Sequence, residues 1–152
     1  MTVERAAVWE LLAEYGALID MMKFDEWLDL FGAECRYQIM PRENFEQGLP
    51  AALVLCDSRA MLEDRIRALR EANKYNIHND RHVIGLPRIA NDGLAVEAPF
   101  AVYQTDQEGE TRLFATGIYR DHLELAGARL KIRDKLILLD TFAIPSLLAT
   151  PL

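Results

Sequence analysis

Three side chains in this sequence could do proton chemistry together: Tyr15, Asp20 and His82. A phenol that donates, a carboxylate that accepts and an imidazole that does either are what proton abstraction or dehydration needs in a closed pocket. Tyr15 and Asp20 are five positions apart, about 140° around an ideal helix, so they share a pocket only where the helix stops near Asp20. Taken singly, each has a structural reading. Tyr15 would be a core aromatic with its hydroxyl bonded, Asp20 a helix-end charge, and His82 a hydrogen-bonding residue where a strand begins. His78 and His82 stand four apart, a spacing that aligns two metal ligands on a helix. Asn79 and Asp80 between them read as the end of a helix, so a polar turn is expected there instead.

Sulfur chemistry fails on counting. Only Cys35 and Cys56 are present, twenty-one residues apart, and neither has a histidine within four positions. A four-thiolate iron–sulfur cluster needs four cysteines, and a Rieske centre needs two cysteines with two histidines at close paired spacing. No clustered ligand set for an iron–sulfur cluster or structural zinc is expected on this chain. Cys56 ends an apolar run, where a free thiol behaves as a small hydrophobe. No Gly-x-Ser-x-Gly motif, phosphate-binding loop or dinucleotide fingerprint occurs. Arg65, Arg67, Arg70, Arg81 and Arg88 could pair with Asp57, Asp64, Asp121, Asp134 or Asp140. Such pairs suit fixed contacts within or between subunits, and a solvated surface suits the rest.

Net charge is −7, with no stretch that concentrates Lys and Arg. That disfavours nucleic acid and anionic membrane surfaces, because phosphate neutralisation supplies most of such affinity. The longest apolar run, Ala51 to Cys56, is far too short to span a bilayer, and Met1–Arg5 lacks the apolar core of a signal peptide. With two cysteines only, a cytoplasmic protein is expected. At 152 residues, 51% apolar, the chain fits one domain, residues 1–152.

Ala7, Val8, Leu11, Leu12, Tyr15, Leu18, Ile19 and Met22 recur at helical steps and predict one long amphipathic helix. A short helix follows, with Phe24, Trp27, Leu28 and Phe31 on one side and Gly32 as its stop. Cys35 to Met40 reads as extended, 41–50 as irregular, and the wholly apolar Ala51–Cys56 as a strand covered on both faces. Asp57 or Ser58 caps a helix running to about Ala72, with Leu62, Ile66 and Leu69 buried and Glu63 paired to Arg67. Beyond Arg81 the period becomes two. Turn signals at Asn91–Gly93, Gln107–Glu110 and Ala126–Ala128 divide four strands. In the last of them Arg129, Lys131, Arg133 and Lys135 face one way, and Leu130 and Ile132 the other. Helices first and an antiparallel meander after them predict an α+β fold in which a curved sheet closes over the N-terminal helices as a cone with a pocket inside.

Two apolar segments suggest partners. Leu136, Ile137, Leu138 and Leu139 make the last strand apolar on both faces, and 144–152 is greasy for a terminus. Leu136, Ile137, Leu139, Leu147 and Leu148, with Arg65 and Arg81, are therefore candidate subunit contacts.

The segments Asp57–Ile66, Arg81–Ile84 with Pro87–Arg88, Gly117–Asp121 and Leu136–Asp140 together resemble the small (beta) subunit of Rieske-type aromatic-ring-hydroxylating dioxygenases. Glu43–Pro50 and Leu147–Leu152 are similar to the subgroup acting on aromatic carboxylates such as anthranilate, benzoate and terephthalate. The resemblance covers nearly the whole chain. It implies the cone of the nuclear-transport-factor-like, cystatin-like superfamily and an assembly of three large (alpha) and three small subunits. The Rieske cluster and mononuclear iron would lie on the large subunit, with electrons arriving from NADH through a reductase. It implies no catalytic residue on this chain. Asn79–Asp80 and Ile118 depart from the family pattern, which often has bulky or basic residues there. The leading expectation is thus a non-catalytic subunit in aromatic-compound catabolism. The alternatives are a free-standing isomerase or dehydratase using Tyr15, Asp20 and His82, and a homo-oligomeric ligand-binding module.

Overall fold

The stripe of apolar residues at the start of the chain folds as helix α1, Arg5–Asp20, burying Val8, Leu11, Leu12, Tyr15, Leu18 and Ile19. The computed structural model describes residues 2–49, 52–72, 77–140 and 150–152. α1 ends at Asp20, and the chain reverses through Met22, whose φ of 57° leaves it half exposed rather than at the end of the buried stripe. Helix α2, Phe24–Leu28, buries Phe24, Trp27 and Leu28. Phe31 and Gly32 do not finish that helix. They open strand β1, Phe31–Pro41, because the Leu30 carbonyl is already taken by the Ile132 amide at 2.8 Å.

The stretch expected to be irregular contains a short helix, α3, Arg42–Glu46. Strand β2 is only Val54–Cys56, and Leu53 and Leu55 are exposed rather than covered, since β2 is an edge of the sheet. Helix α4, Arg59–Ala72, starts where expected, with Ser58 Oγ accepting from the Met61 amide at 3.2 Å. Its Leu62, Ile66 and Leu69 are buried. The anticipated Glu63–Arg67 pair is replaced by Arg59–Glu63 at 3.1 Å and Arg67–Asp64 at 3.0 Å.

The rest is sheet: β3 Asn79–Ile84, β4 Arg88–Ile89, β5 Ala95–Thr105, β6 Thr111–Ala126 and β7 Arg129–Leu139. The strand order is β2-β1-β7-β6-β5-β3, with β4 also paired to β5. Every pairing is antiparallel except β1 with β7. Two adjacent residues of α1 show how far this sheet curls. The Tyr15 ring lies 6.5 Å from Phe31 of β1 and 5.6 Å from Tyr119 of β6. Gly16 lies against His82 of β3, whose Cβ would stand 3.1 Å from a Cβ added there. One helix turn thus touches strands from both halves of the sheet, which is the α+β cone expected.

Strand β7 corrects the expected alternation. β6 pairs Leu123 with Ile132 and His122 with Asp134, which leaves Arg133 as an unpaired extra residue, a β-bulge. A one-residue insertion turns every later side chain to the opposite face. Lys135 therefore points inward with no side-chain exposure, beside the buried Ile132, Ile137 and Leu139. Ile137 and Leu139 are core residues, not exposed contacts. Leu136 lies on the outer face and is half-buried.

Inside, Lys135 Nζ sits 3.1 and 3.2 Å from the two oxygens of Asp121. It also lies 3.7 Å from the Tyr119 ring centre and 4.0 Å from that of Tyr15. Burial pushes the lysine pKa down and the aspartate pKa up, while each partner's charge opposes the shift of the other. Removing one member leaves a buried charge alone, whereas removing both leaves packing. Asp121→Asn should cost about 3–5 kcal/mol, and Asp121→Val with Lys135→Met should lie within about 1 kcal/mol of the parent or above it. Urea unfolding of the parent and the two variants measures this, and the single variant costing as little as the double one would contradict it.

Candidate functional site

Because α1 stops at Asp20, that carboxylate is free to reach β3. Its Oδ2 accepts from the His82 amide at 2.9 Å, and its Oδ1 lies 2.7 Å from His82 Nδ1. The imidazole has no exposed surface, and its Nε2 finds no hydrogen-bond partner among the described residues. Arg81, three-quarters exposed, reaches the same carboxylate at 3.9 Å. Two of the three residues singled out for proton chemistry are thus brought together as a fixed pair.

Tyr15 is engaged elsewhere. Its hydroxyl donates to the carbonyl of Leu152, and the Leu152 amide donates to Tyr37 Oη at 3.1 Å. Leu152 is only 1% exposed, so the interior expected as a pocket is filled here by the chain's own residue. Trp27 stands edge-on to Phe31 at 4.8 Å, and Phe100 stacks on Tyr119 at 4.2 Å. A cavity of about 60 Å³ borders Asp20, His78, Asp80 and Thr150, room for a water or two, and Tyr15 and His82 do not line it.

The remaining candidates separate. His78 and His82 lie on extended chain rather than a helix, which puts them about 13 Å apart along the strand direction. His78 instead faces Asp80 at 3.4 Å, and Gln104 donates to the same Asp80 oxygen at 3.3 Å. The expected polar turn is instead the start of β3, with Asn79 exposed and Asp80 buried. Cys35 and Cys56 are both buried, on paired strands β1 and β2, and burial pushes both thiols up. Among the described residues no three His, Cys, Asp or Glu side chains could hold a metal ion. The donors of a Rieske centre do not fit, since both thiols belong to β1 and β2 while His82 is buried against α1 beside Asp20. No described helix is long and apolar enough to cross a membrane.

Arg67 pairs with Asp64 as one of the anticipated contacts, and Arg88 lies 3.8 Å from Glu97. Arg65 is partly buried on α4, and Arg70 reaches Asp25 of α2. Leu147 and Leu148 lie outside the described residues. Sequence reasoning passed over Arg59, which binds the Phe31 carbonyl at 2.9 Å and lies 3.7 Å from Asp29, tying α4 to the start of β1. It also passed over Tyr37 and Lys135. The alternation of Cys35, Tyr37 and Ile39 carried a signal for Tyr37, while nothing local marks the bulge that turns Lys135 inward.

Burial pushes Tyr15, Tyr37 and Tyr119 above the ordinary phenol value of about 10. A group whose pKa is raised by folding stabilises the fold below its unfolded value, and that contribution is lost as pH rises towards its folded value. Stability should therefore fall above about pH 10. Phenolate absorbance from these three rings should emerge together with loss of the far-ultraviolet dichroism signal. Their ionisation in a still-folded protein would contradict the burial.

Comparison with known proteins places this geometry. The family model described as "Ring hydroxylating beta subunit" matches residues 16–146. The chain is 38% identical over 144 residues to the terephthalate 1,2-dioxygenase terminal oxygenase component subunit beta 2 of Comamonas sp., covering 92% of this chain and 93% of that one. It is 34% identical over 148 residues to the anthranilate 1,2-dioxygenase small subunit of Burkholderia cepacia, covering 95% and 92%. A crystal structure of a beta subunit assigned to an aromatic-ring-hydroxylating dioxygenase from Novosphingobium aromaticivorans superposes with a TM-score of 0.87 at 40% identity, covering 97% and 96%. A cystatin-like protein from Nostoc punctiforme shares the fold alone, with a TM-score of 0.68 at 11% identity, covering 95% and 98%. Helices covered by a curled sheet, and motifs that span the chain in order, lead to one family: this chain belongs to the ring hydroxylating beta subunits, the small subunits of multicomponent dioxygenases.

Proposed function

We propose that this chain is a non-catalytic subunit that holds a large, iron-bearing oxygenase subunit in its assembly, three large with three small, in the cytoplasm. The single domain 1–152 carries no cofactor in this reading. The Rieske cluster and mononuclear iron belong to the large subunit, electrons come from NADH through a reductase, and the substrate is an aromatic carboxylate of the terephthalate or anthranilate kind. The observation that carries the reading is the filled interior: Leu152, the Lys135–Asp121 pair and the aromatic rings occupy the space where an enzyme of this shape would hold a substrate. What is left for function is the outside.

That outside has a form suited to contacts. Register aligns Leu55, Gln38, Leu136, Arg120 and Glu97 in one row across the outer face of β2, β1, β7, β6 and β5. Leu136 in this row and Arg81 on the edge strand β3 are the contacts the reading uses, together with Arg65; Leu147 and Leu148, outside the described residues, remain candidates from the sequence. Co-expression with the large subunit of the matching ring-hydroxylating oxygenase, followed by gel filtration, should give one complex whose iron travels with the large chain. Leu136→Glu with Arg81→Glu should weaken that complex by about 30-fold or more. Separate elution of the two parent chains would refute the assignment.

A second reading rests on the Asp20–His82 pair alone. In a free-standing isomerase or dehydratase, His82 would move a proton with Asp20 holding its Nδ1, and Tyr15 would have to leave Leu152 to join them. His82→Ala should then abolish turnover of an enolisable or hydroxylated test substrate by the isolated chain, and unchanged turnover removes this reading.

A further inference from the structure

The interior of the cone is built to hold a residue end-on. Two phenols of different elements bracket the backbone of one residue: Tyr15 of α1 donates to the Leu152 carbonyl, and Tyr37 of β1 accepts from the Leu152 amide at 3.1 Å. Both phenols are fully buried, and so is Leu152. The same chamber holds Tyr119, whose buried hydroxyl has no hydrogen-bond partner among the described residues, and the Lys135 ammonium 4.0 Å from the Tyr15 ring. A donor and an acceptor that match the carbonyl and the N–H on either side of one Cα, set in apolar walls, are the elements of a small-molecule site. Thr150 and Pro151, also buried, lead into it.

We propose that the inside of the cone is a binding site for a branched apolar residue carrying an amide N–H and an acyl oxygen, and that Leu152 is its resident ligand. Residues 150–152 then act as a latch. Their seat is intramolecular, so the local concentration of the ligand is high and no outside molecule competes while the segment is attached. Removed, the latch leaves a site for the same chemistry supplied from outside, an acylated leucine or a short peptide that carries leucine. The proposal does not depend on the assembly with a large subunit, and it concerns the chain alone.

Two experiments test it. In the intact chain, hydrogen exchange followed by NMR should show the Leu152 amide slowed by roughly 100-fold or more relative to an unstructured peptide. Tyr37→Phe should abolish most of that protection while the amides of β6 and β7 stay slow. Exchange of Leu152 at the unstructured rate in the parent protein overturns the proposal. Next, a chain ending at Ala149 should melt about 5–15 °C lower. The peptide acetyl-Thr-Pro-Leu at roughly 100 times its dissociation constant should recover about half of that loss. The peptide acetyl-Thr-Pro-Ala should recover far less, and Tyr15→Phe in the shortened chain should weaken the leucine peptide's effect. An unchanged melting temperature, or equal rescue by both peptides, overturns the proposal. Should the shortened chain fail to fold, Leu152→Ala in the full chain carries the same comparison. Its amide must stay protected while its melting temperature falls, and loss of neither or of both counts against a site that holds backbone and side chain separately.

Discussion

A lysine charge in the middle of an aromatic core is the constraint on which the rest of this fold depends. Taking an ammonium out of water costs several kcal/mol unless a partner and polarisable neighbours replace the lost hydration. Asp121 supplies the opposite charge from the neighbouring strand, and the faces of Tyr15 and Tyr119 supply the quadrupoles that attract a cation. Three elements must then be held at once. β6 and β7 have to keep the register that sets Asp121 against Lys135, and α1 has to lie at the depth that brings Tyr15 over the nitrogen. The Arg133 bulge makes this possible, because without it Lys135 would face solvent. A sheet that bends at such a bulge twists more strongly, which is also what wraps it around the helix.

Clamps at the rim follow the same logic of burying polar groups only in pairs. Asp20 at the end of α1 takes both the amide and the ring nitrogen of His82, closing the helix onto the edge strand. Arg59 closes the other side, where its guanidinium meets the carbonyl that starts β1 and the carboxylates of Asp29 and Glu63. In place, both fasten one element of the cone to another, which is what keeps the curled sheet closed.

How much of this was legible in the sequence depended on range. α1 and α4 were visible because their buried residues recur every three or four positions, and β5, β6 and β7 because two-residue alternation is broken by turn signals. The α+β architecture followed from that order. Features set by distant partners were not visible. Phe31 and Gly32 look like a helix end until β7 captures the Leu30 carbonyl from 102 positions away. Lys135 reads as a solvent-facing residue until a bulge reverses it. Ile137 and Leu139 look like contacts only because a strand covered inside by α1 and crowded by two neighbours has apolar residues on both faces. Tyr15 and Leu152 are 137 positions apart, and no local pattern announces their bond.

The segment Gly117–Asp121, one of those that marked the family resemblance, shows what such a motif encodes. Its alternate residues face inward, and each has a distinct task. A Cβ at Gly117 would stand 3.0 Å from the Phe100 ring and 2.0 Å from the Leu138 carbonyl, so only glycine lets β5 and β7 close against β6 there. That closeness lets Phe100 stack on Tyr119, and Tyr119 in turn covers the Lys135 ammonium. Asp121 then completes the pair. The outward residues serve the other face: Arg120 bonds Glu97 at 3.1 Å and lies over the Phe45 ring. This five-residue segment thus specifies a close approach, a stack, a buried charge and an outer tether. A motif can therefore mark a family of enzyme components through its packing, because changing one member of a buried ion pair strands the charge of the other.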